Sequence, residues 1–477
     1  MSSLKESAAK GVFWSALERF SLQGVQFLVM IVMARILLPE DYGLVGLTTV
    51  FVSLSTSLID SGFSQALIRK IDRTEIDKST IFFFNIVVGV FIYILFFAIA
   101  PFVADFYEKP VLVTIIRLIS LTSFINSFAV VQRAEFSINI DFKSQAKASI
   151  IASVVSGLIG IFLAYSGYGV WALVAQQIST AVISTSILWV LSSWRPSIIF
   201  SVASFKELFQ FGSNLMVSGL LDTLYREIYP IIIGKLYSAT SLGHYSRAKN
   251  FVDFPSASLT GILQRVTYPL LCEIQNEEER MVAVYRKIIK FSAYLMFPLI
   301  IGLASVADSF VYLTIGPQWN FCGQLLCLLC FANVWYPINA INLNLLQVKG
   351  KSDIYLRLEI IKKTMYISIL LVTSPLGVEV MCYGQIVGSF LAVIINTYYS
   401  GKLMNFGFLR QMQDILPSIV LSLLIFLSNR VLLSFFESDI FKLFLGVAVG
   451  AVYFIVATQF FFKDEYILIK SSLKKNK

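Results

Sequence analysis

The sequence predicts an all-α polytopic membrane protein of about 14 transmembrane helices, with two six-helix lobes related by an internal parallel repeat and a C-terminal helix pair. Three observations support this fold class: the composition, the alternation of basic loops and the repeat. Of the 477 residues, 57% are hydrophobic and 14% are charged, and the mean hydropathy is +0.76. Soluble domains carry about 25% charged residues. The composition therefore excludes an ordinary soluble enzyme and leaves no room for a separate soluble domain.

The apolar runs define the predicted spans, because a spanning helix needs about 20 mostly apolar residues. The fourteen spans cover residues 11–36, 42–66, 80–104, 111–132, 148–166, 169–192, 208–233, 243–264, 291–307, 323–346, 354–374, 378–400, 412–430 and 443–462. Of the 38 lysines and arginines, 26 lie in or beside the segments of one side and five on the opposite side. The positive-inside rule then places both termini in the cytoplasm. We attribute the net charge of +9 to these loops rather than to nucleic-acid binding.

An internal repeat appears when the sequence is shifted by 200 residues. Arg35 and Gly43 then fall on Lys235 and Gly243. Polar stripes on the second and eighth predicted helices also coincide at this offset, namely Thr49, Ser53, Thr56, Asp60 and Ser64 with Lys249, Asp253, Ser256, Thr260 and Gln264. Chance similarity among apolar helices is the alternative, but polar positions carry the match. We predict an N-lobe over 1–200, a C-lobe over 201–405, and a terminal helix pair with a basic tail over 406–477, with the substrate between the lobes.

Charged side chains inside the predicted spans indicate a water-filled cavity lined by the first, second, seventh and eighth helices. A charge at the centre of a spanning helix costs about 2.5–3.5 kcal/mol on insertion scales, so it needs a partner or water. Basic groups suit a phosphate-bearing substrate, and the candidates are Arg19, Arg226, Arg247 and Lys249. Acidic groups could bind a coupling cation or proton, and the candidates are Glu18, Asp60, Asp222 and Asp253.

Structural alternatives stay open for each of these charges. Local ion pairs are the alternative for Glu18 with Arg19, Arg226 with Asp222, and Lys249 with Asp253. For Arg247 the alternative is extension of the side chain to the outer interface.

Metal and enzyme chemistry find little support in the sequence. Cys327 and Cys330 have the spacing of metal ligands, but His244 is the one histidine of the chain, so helix packing is the better interpretation. Residues 350–352 (GKS) resemble the end of a phosphate-binding loop, but Leu345 stands where that loop needs glycine. The outer loops are too short for a membrane-embedded glycan polymerase or ligase. We therefore expect no enzyme activity and no metal.

Several motifs together resemble the bacterial polysaccharide-transporter family, most closely its colanic-acid type of lipopolysaccharide and exopolysaccharide flippase. This family belongs to the multidrug/oligosaccharidyl-lipid/polysaccharide exporter superfamily. The motifs are residues 10–15 (KGVFWS), Glu18-Arg19, residues 34–43 (ARILLPEDYG), residues 60–63 (DSGF) with 66–69 (ALIR), Gln132-Arg133 with Asp141-Phe142, residues 316–319 (GPQW) and residues 347–351 (QVKGK).

The resemblance implies a flippase of the bacterial inner membrane. Such a protein moves an oligosaccharide on undecaprenyl pyrophosphate, as in O-antigen, capsule or exopolysaccharide synthesis, to the outer leaflet by alternating access. Arg19 maps onto the pyrophosphate-binding arginines of related flippases, whereas the other three cations extend that idea by helix position. The implied partners are the lipid-linked oligosaccharide, membrane lipids and glycan polymerase machinery. The only cofactor considered is a coupling H⁺ or Na⁺.

Two other functions stay open. A multidrug or cation antiporter of the same superfamily would share the fold, but would favour acidic and aromatic groups in its cavity. A scaffold in a glycan-synthesis complex would leave the charges inside the spans unexplained.

Overall fold

The structure is a computed structural model that describes residues 22–60, 63–70, 72–139 and 141–461. All regular elements within these ranges are helices. The described helices are α1 (Leu22–Ile36), α2 (Pro39–Asp60), α3 (Phe63–Arg69), α4 (Glu75–Phe106), α5 (Leu112–Ser127), α6 (Val130–Ile138), α7 (Phe142–Tyr165), α8 (Val170–Leu191), α9 (Val202–Leu236), α10 (Ala239–Glu273), α11 (Glu278–Ser305), α12 (Ala307–Ile315), α13 (Asn320–Asn333), α14 (Tyr336–Val348), α15 (Ser352–Thr373), α16 (Val378–Met404), α17 (Phe408–Leu433) and α18 (Asp439–Phe461).

Each of the fourteen predicted spans overlaps a helix or helix pair of this structure, the first of them over the described residues 22–36. By length and apolar composition, nine helical segments among the described residues could cross a membrane, or ten if the bent pair α5–α6 counts as one span. The helices α9, α10 and α15 are not among them, and α1 is shorter than a full span. The predicted all-α membrane class therefore agrees with the structure, whereas fourteen crossings stay a prediction.

The chain divides into two compact units, Met1–Gly243 and His244–Lys477. The division falls inside α10, not at residue 200. In the first unit α9 packs along α2, α3 and α4. The lobe boundaries that we predicted from the repeat remain a prediction, and the contacts group α9 with the helices that precede it.

The connection between α8 and α9 in the first unit is fastened to the first turns of α4. The indole nitrogen of Trp194 donates to Glu75 Oε2 at 2.6 Å. The hydroxyls of Ser79 and Thr80 accept hydrogen bonds from the backbone amides of Ser197 and Ser201 at 3.1 and 3.0 Å. These bonds satisfy amide groups that the irregular connection would otherwise leave unpaired.

A second set of contacts fixes the start of α9 at the same place. Lys70 Nζ lies 2.9 Å from a carboxylate oxygen of Glu207 and 3.1 Å from one of Asp77. The hydrogen bond to Glu207 raises the pKa of Lys70 above its usual value. Asp77 is buried, and it forms a capping box with Thr74 at the start of α4. The first turns of α9 are therefore tied to α4 and to the end of α3.

Side chains of α8 stabilise a bend of 42° between α5 and α6. A bend interrupts the helical hydrogen bonds and leaves carbonyl groups without partners. The indole nitrogen of Trp189 donates to the carbonyl of Phe128 at 2.9 Å, directly at the break. Phe82 of α4 packs against Trp189 and Trp194, with ring centroids 5.8 and 5.7 Å apart. The bend is therefore part of the packed core of the first unit.

The second unit has a buried polar network between α11, α14, α16 and α17. Tyr285 donates its hydroxyl to Asn342 Oδ1 at 2.9 Å. The side-chain amides of Asn342 and Gln411 exchange two hydrogen bonds of 3.0 Å. Gln411 also donates to the Ser400 hydroxyl and to the carbonyl of Phe406. All of these side chains are buried, so the network fixes how the four helices fit together.

We predict that Trp189→Phe destabilises the protein because it leaves the Phe128 carbonyl without a donor in a dry interior. The expected loss is about 1–3 kcal/mol of unfolding free energy. Trp171→Phe is the matched control, since the indole nitrogen of Trp171 donates to no described residue. Thermal unfolding of both variants in detergent measures the difference. Equal stabilities would mean that Trp189 does not support the bend.

Candidate functional site

A polar seam joins α2 to α9 in the first unit. Ser53 of α2 donates its hydroxyl to Glu227 Oε1 of α9 at 3.1 Å. One turn away, the hydroxyls of Ser57 and Thr223 lie 2.7 Å apart. The polar stripe predicted on the second helix therefore contacts α9 through Ser53, whereas the predicted cavity stays a prediction.

Asp222 and Arg226 lie on a different face of α9 and are exposed. The structure records no ion pair between these two side chains within its described residues, although their spacing would allow one. Arg226 lies seven residues before the predicted end of the span at residue 233, a distance of about 10 Å along a helix. If the predicted span is right, a charge at that depth is costly to expose to lipid, and we expect this face of α9 to border water or a polar ligand.

The charges on α10 form a local pair, as one of the two alternatives predicted. Lys249 Nζ lies 3.0 Å from Asp253 Oδ2, and both side chains are about two-fifths exposed. The pair neutralises itself within the second unit. Lys249 is consequently less available for an anionic substrate than the sequence suggested, and Asp253 is less available for a coupling cation.

Arg247 is half-buried in the second unit. Its Nε atom is enclosed by protein. The side chain is thus partly enclosed by the second unit, and its extension to the outer interface stays open.

Three of the predicted residues cannot be placed by their side chains. Glu18 and Arg19 lie outside the described residues. Asp60 ends α2, but the structure does not describe its side chain. The remaining candidates fall in both units, with Asp222 and Arg226 in the first and Arg247, Lys249 and Asp253 in the second. A common cavity for all of them stays a prediction.

The sequence analysis missed Ser57 and Thr223. Ser57 lies beside the polar stripe predicted on the second helix, and Thr223 lies next to the candidate Asp222 on the seventh, so helical spacing alone assigned both to a neighbouring face. A signal was available, because Thr223 precedes Glu227 by four residues and Ser53 precedes Ser57 by four. The two pairs therefore match in register along both helices.

The five cysteines are free thiols, and four of them, including Cys327 and Cys330, are buried. Among the described residues no group of three or more histidine, cysteine, aspartate or glutamate side chains could hold a metal ion.

The chain is similar to a known family and to individual proteins that are all named for the biosynthesis or transport of polysaccharides. Residues 32–324 match the family described as polysaccharide biosynthesis protein. Teichuronic acid biosynthesis protein TuaB of Bacillus subtilis is 27% identical over 362 residues, which cover 74% of either chain. Lipopolysaccharide biosynthesis protein WzxC of Escherichia coli is 24% identical over 404 residues, covering 83% of this chain and 81% of WzxC. Succinoglycan biosynthesis transport protein ExoT of Rhizobium meliloti is 23% identical over 327 residues, covering 69% of this chain and 66% of ExoT.

Two solved structures establish the fold. The lipid II flippase MurJ, in an inward closed conformation, superposes with a TM-score of 0.74 at 12% identity, covering 95% of this chain and 99% of MurJ. An inward-facing multidrug resistance MATE family transporter gives a TM-score of 0.63 at 16% identity, covering 82% of this chain and 98% of the transporter. At such identities the likeness concerns the fold alone. It confirms the predicted class, an all-α multi-pass membrane protein.

We predict that Lys249 and Asp253 are energetically coupled, because removing either one leaves the other charge unpaired inside the span. A double-mutant cycle with Lys249→Met and Asp253→Asn should give a coupling of about 0.2–1 kcal/mol, since the half-exposed pair is screened by water. Thermal unfolding in detergent provides the measurement. Strictly additive effects of the two substitutions would contradict the ion pair.

Proposed function

This chain belongs to the polysaccharide biosynthesis protein family, and we propose that it is a flippase for lipid-linked oligosaccharides. In this proposal the chain moves an oligosaccharide on undecaprenyl pyrophosphate from the cytoplasmic to the outer leaflet and makes or breaks no covalent bond. The names of WzxC and ExoT, which refer to lipopolysaccharide biosynthesis and succinoglycan transport, support a glycan substrate. The fold shared with MurJ fits a lipid-linked one.

The observation that carries the proposal is the exposed arginine on α9. Of the three candidate cations that the structure describes, Lys249 is paired with Asp253 and Arg247 is half-buried. Arg226 is exposed and makes no ion pair with any described residue. A guanidinium in that setting can bind a pyrophosphate oxygen pair in bidentate fashion. The polar glycan would pass along the same hydrated face of α9, while the lipid tail stays in the bilayer.

The driving force is a second part of the proposal. A coupling H⁺ or Na⁺ would need a carboxylate, and the candidates are Glu18, Asp60, Asp222 and Asp253. We favour Asp222, because it is exposed on the same helix as Arg226 and one turn away. Proton or cation binding at Asp222 would change the net charge beside the pyrophosphate site and so couple the two ligands.

A multidrug or cation antiporter is the other candidate function, since a MATE transporter has the same fold. An unpaired arginine beside the pathway argues against a cationic substrate, because like charges repel at short range.

The predicted orientation, with both termini cytoplasmic in the bacterial inner membrane, would bring the basic loops to the side where glycan lipids are made. Glycan polymerases that use the flipped lipid are the partners that this function would require.

The decisive experiment is a leaflet-resolved profile of lipid-linked oligosaccharides in a strain that lacks this chain. We expect one undecaprenyl-linked glycan to accumulate on the cytoplasmic face, which would also identify the substrate. An unchanged profile, in a strain without a redundant transporter, would contradict the flippase function and favour antiport of drugs or cations.

Arg226 can be tested by complementing that strain. Arg226→Gln should reduce glycan export about tenfold or more, because a charge-assisted hydrogen bond is worth about 1.5–3 kcal/mol. Arg226→Lys should restore part of it, since charge is kept and bidentate geometry is lost. Arg280→Gln is the control, because exposed Arg280 pairs with Glu277 three residues away, outside the predicted spans. Normal export by Arg226→Gln would remove this residue from the pathway.

The coupling role of Asp222 predicts that Asp222→Asn lowers export and makes the remainder insensitive to dissipation of the ion gradients. Inverted membrane vesicles with added ionophores provide the measurement. Export by the variant that still collapses with the gradient would exclude Asp222 as the carrier.

A further inference from the structure

Two basic side chains of α11 share one buried carboxylate of α17 in the second unit. Arg286 donates from Nε and Nη2 to the two carboxylate oxygens of Asp414, at 2.7 and 2.8 Å. Lys290 Nζ, one turn further along α11, lies 3.3 Å from the same carboxylate. The Asp414 side chain is 7% exposed, whereas those of Arg286 and Lys290 are 48% and 38% exposed. The carboxylate is therefore enclosed between the helices, and part of each cation stays at the surface.

A third positive charge lies at the same place. Arg410, one turn before Asp414 on α17, donates from Nη1 to the carbonyl of Asn405 at 2.7 Å. The guanidinium of Arg286 lies over the ring of the next residue, Phe406, 5.4 Å from the ring centroid. Both arginines thus contact the short turn between α16 and α17. The basic cluster, as we call it, consists of Arg286, Lys290, Arg410 and Asp414.

The basic cluster carries surplus positive charge. The hydrogen bonds between Arg286 and Asp414 use both carboxylate oxygens, so this pair is neutral. Lys290 and Arg410 add two positive charges that the one carboxylate cannot balance. Among the described residues, the Nη1 group of Arg286 donates to no acceptor. One cation is enough for an ion pair that joins two helices, whereas a surplus of cations with exposed donors suits an anion.

The predicted spans place the basic cluster at the edge of the hydrocarbon layer. The spans of α11 and α17 are predicted to start at residues 291 and 412, on the side predicted to be cytoplasmic. At 1.5 Å per residue, Lys290 lies about 1.5 Å and Arg286 about 7.5 Å outside the first of these spans. The headgroup layer on each side of the hydrocarbon is about 5–8 Å thick. If the predicted spans are right, both cations lie at the level of the lipid phosphates.

An apolar stripe on α17 leads from the basic cluster into the predicted span. Its members are exposed and recur at helical spacing, namely Leu416, Val420, Leu424 and Leu427. The first of them lies two residues beyond Asp414. Acyl chains of a lipid held at the cluster can lie along this stripe, whereas a free phosphate ion would not contact it. The combination of surplus charge and apolar stripe therefore favours a lipid as the ligand.

We propose that the basic cluster binds the phosphate headgroup of an anionic phospholipid of the cytoplasmic leaflet, and that this lipid bridges α11 and α17. Phosphate oxygens accept hydrogen bonds from guanidinium and ammonium groups. Basic pockets between membrane helices on the cytoplasmic side bind such headgroups. Asp414 is a positioning residue, since it holds Arg286 at the headgroup level. The inference does not depend on the proposed function, because the bound lipid is not the one transported.

A different account of the same geometry is an ion pair that only joins the two helices. The pair of Arg286 with Asp414 is sufficient for that role, and it forms in any detergent. The two accounts differ at Lys290 and Arg410, which an ion pair between the helices does not need. They also differ in whether the protein distinguishes anionic from zwitterionic lipids.

The first experiment measures how tightly the purified chain retains phospholipids, by native mass spectrometry from a neutral detergent. Phosphatidylglycerol is the anionic probe. Phosphatidylcholine is the matched comparison, since it carries the same phosphate without net charge. We expect the wild-type chain to retain phosphatidylglycerol at least about fivefold more tightly, and this preference to fall as salt is raised. Equal retention of the two lipids would overturn the proposal.

Lys290→Gln tests the position of the site, because it leaves the pair of Arg286 with Asp414 in place. The preference for phosphatidylglycerol should fall about fivefold, which is the usual contribution of one basic residue beside an anionic lipid surface. Arg410→Gln should act in the same way. Lys287→Gln is the matched control, since Lys287 is exposed, neighbours Arg286 and pairs with no described carboxylate. Equal losses from Lys287→Gln and Lys290→Gln would indicate attraction by net charge alone and contradict the site.

Thermal unfolding in detergent distinguishes a lipid from a free ion. Phosphatidylglycerol should raise the unfolding temperature of the wild-type chain, and inorganic phosphate at the same concentration should not. Lys290→Gln should remove most of the shift. An equal shift with inorganic phosphate would exclude the lipid as the specific ligand. The wild-type comparison of the two probes needs no substitution, so it remains decisive if Lys290→Gln fails to accumulate.

Discussion

The rest of the structure depends on one constraint, which is that polar groups inside a bilayer must find their partners within the protein or in enclosed water. The bend between α5 and α6 is tolerated because Trp189 donates to the carbonyl that the bend releases. The irregular connection before α9, between two predicted spans, is held in the same way by hydroxyl groups of α4 that accept from its amides. Buried amides of the second unit satisfy one another in the same way, through Asn342 and Gln411.

This constraint also explains why α9 groups with the helices that precede it. Its start is held by Glu207 through Lys70, its middle by Glu227 through Ser53, and its end by Lys235 at the Phe106 carbonyl. Each of these contacts joins a polar group of α9 to one elsewhere in the first unit. A helix with so many polar groups is stabilised more by such partners than by lipid. The boundary of the sequence repeat and the boundary between the two compact units therefore need not coincide.

The charges inside the spans divide into structural and available ones by the same reasoning. Lys249 and Asp253 neutralise each other, and Arg247 is drawn into the second unit. Arg226 and Asp222 stay exposed on one side of α9, while its other side binds α2. A binding site for a charged substrate needs side chains that the substrate can reach, and exposure meets that condition.

The sequence by itself determined the class, the approximate place of the long helices and the family. Those properties follow from local patterns, since an apolar run of about 20 residues predicts a membrane helix whatever surrounds it. The offset of 200 residues already paired Gly43 with Gly243. The polar stripe on the second predicted helix likewise identified Ser53 correctly.

Tertiary structure decided which of these residues meet. Helical spacing could not choose between pairing of Lys249 with Asp253 and a ligand contact, because an interval of four residues permits both. It also missed Ser57 and Thr223, since one residue of helix is a rotation of about 100° and the approach of α2 to α9 selects the face. Likewise, no local pattern shows that Gly43 lies against the backbone of Ala239 and that Gly243 lies against the backbone of Pro39. The crossing of two helices some 200 residues apart is set by packing between them, and packing is a property of the folded chain.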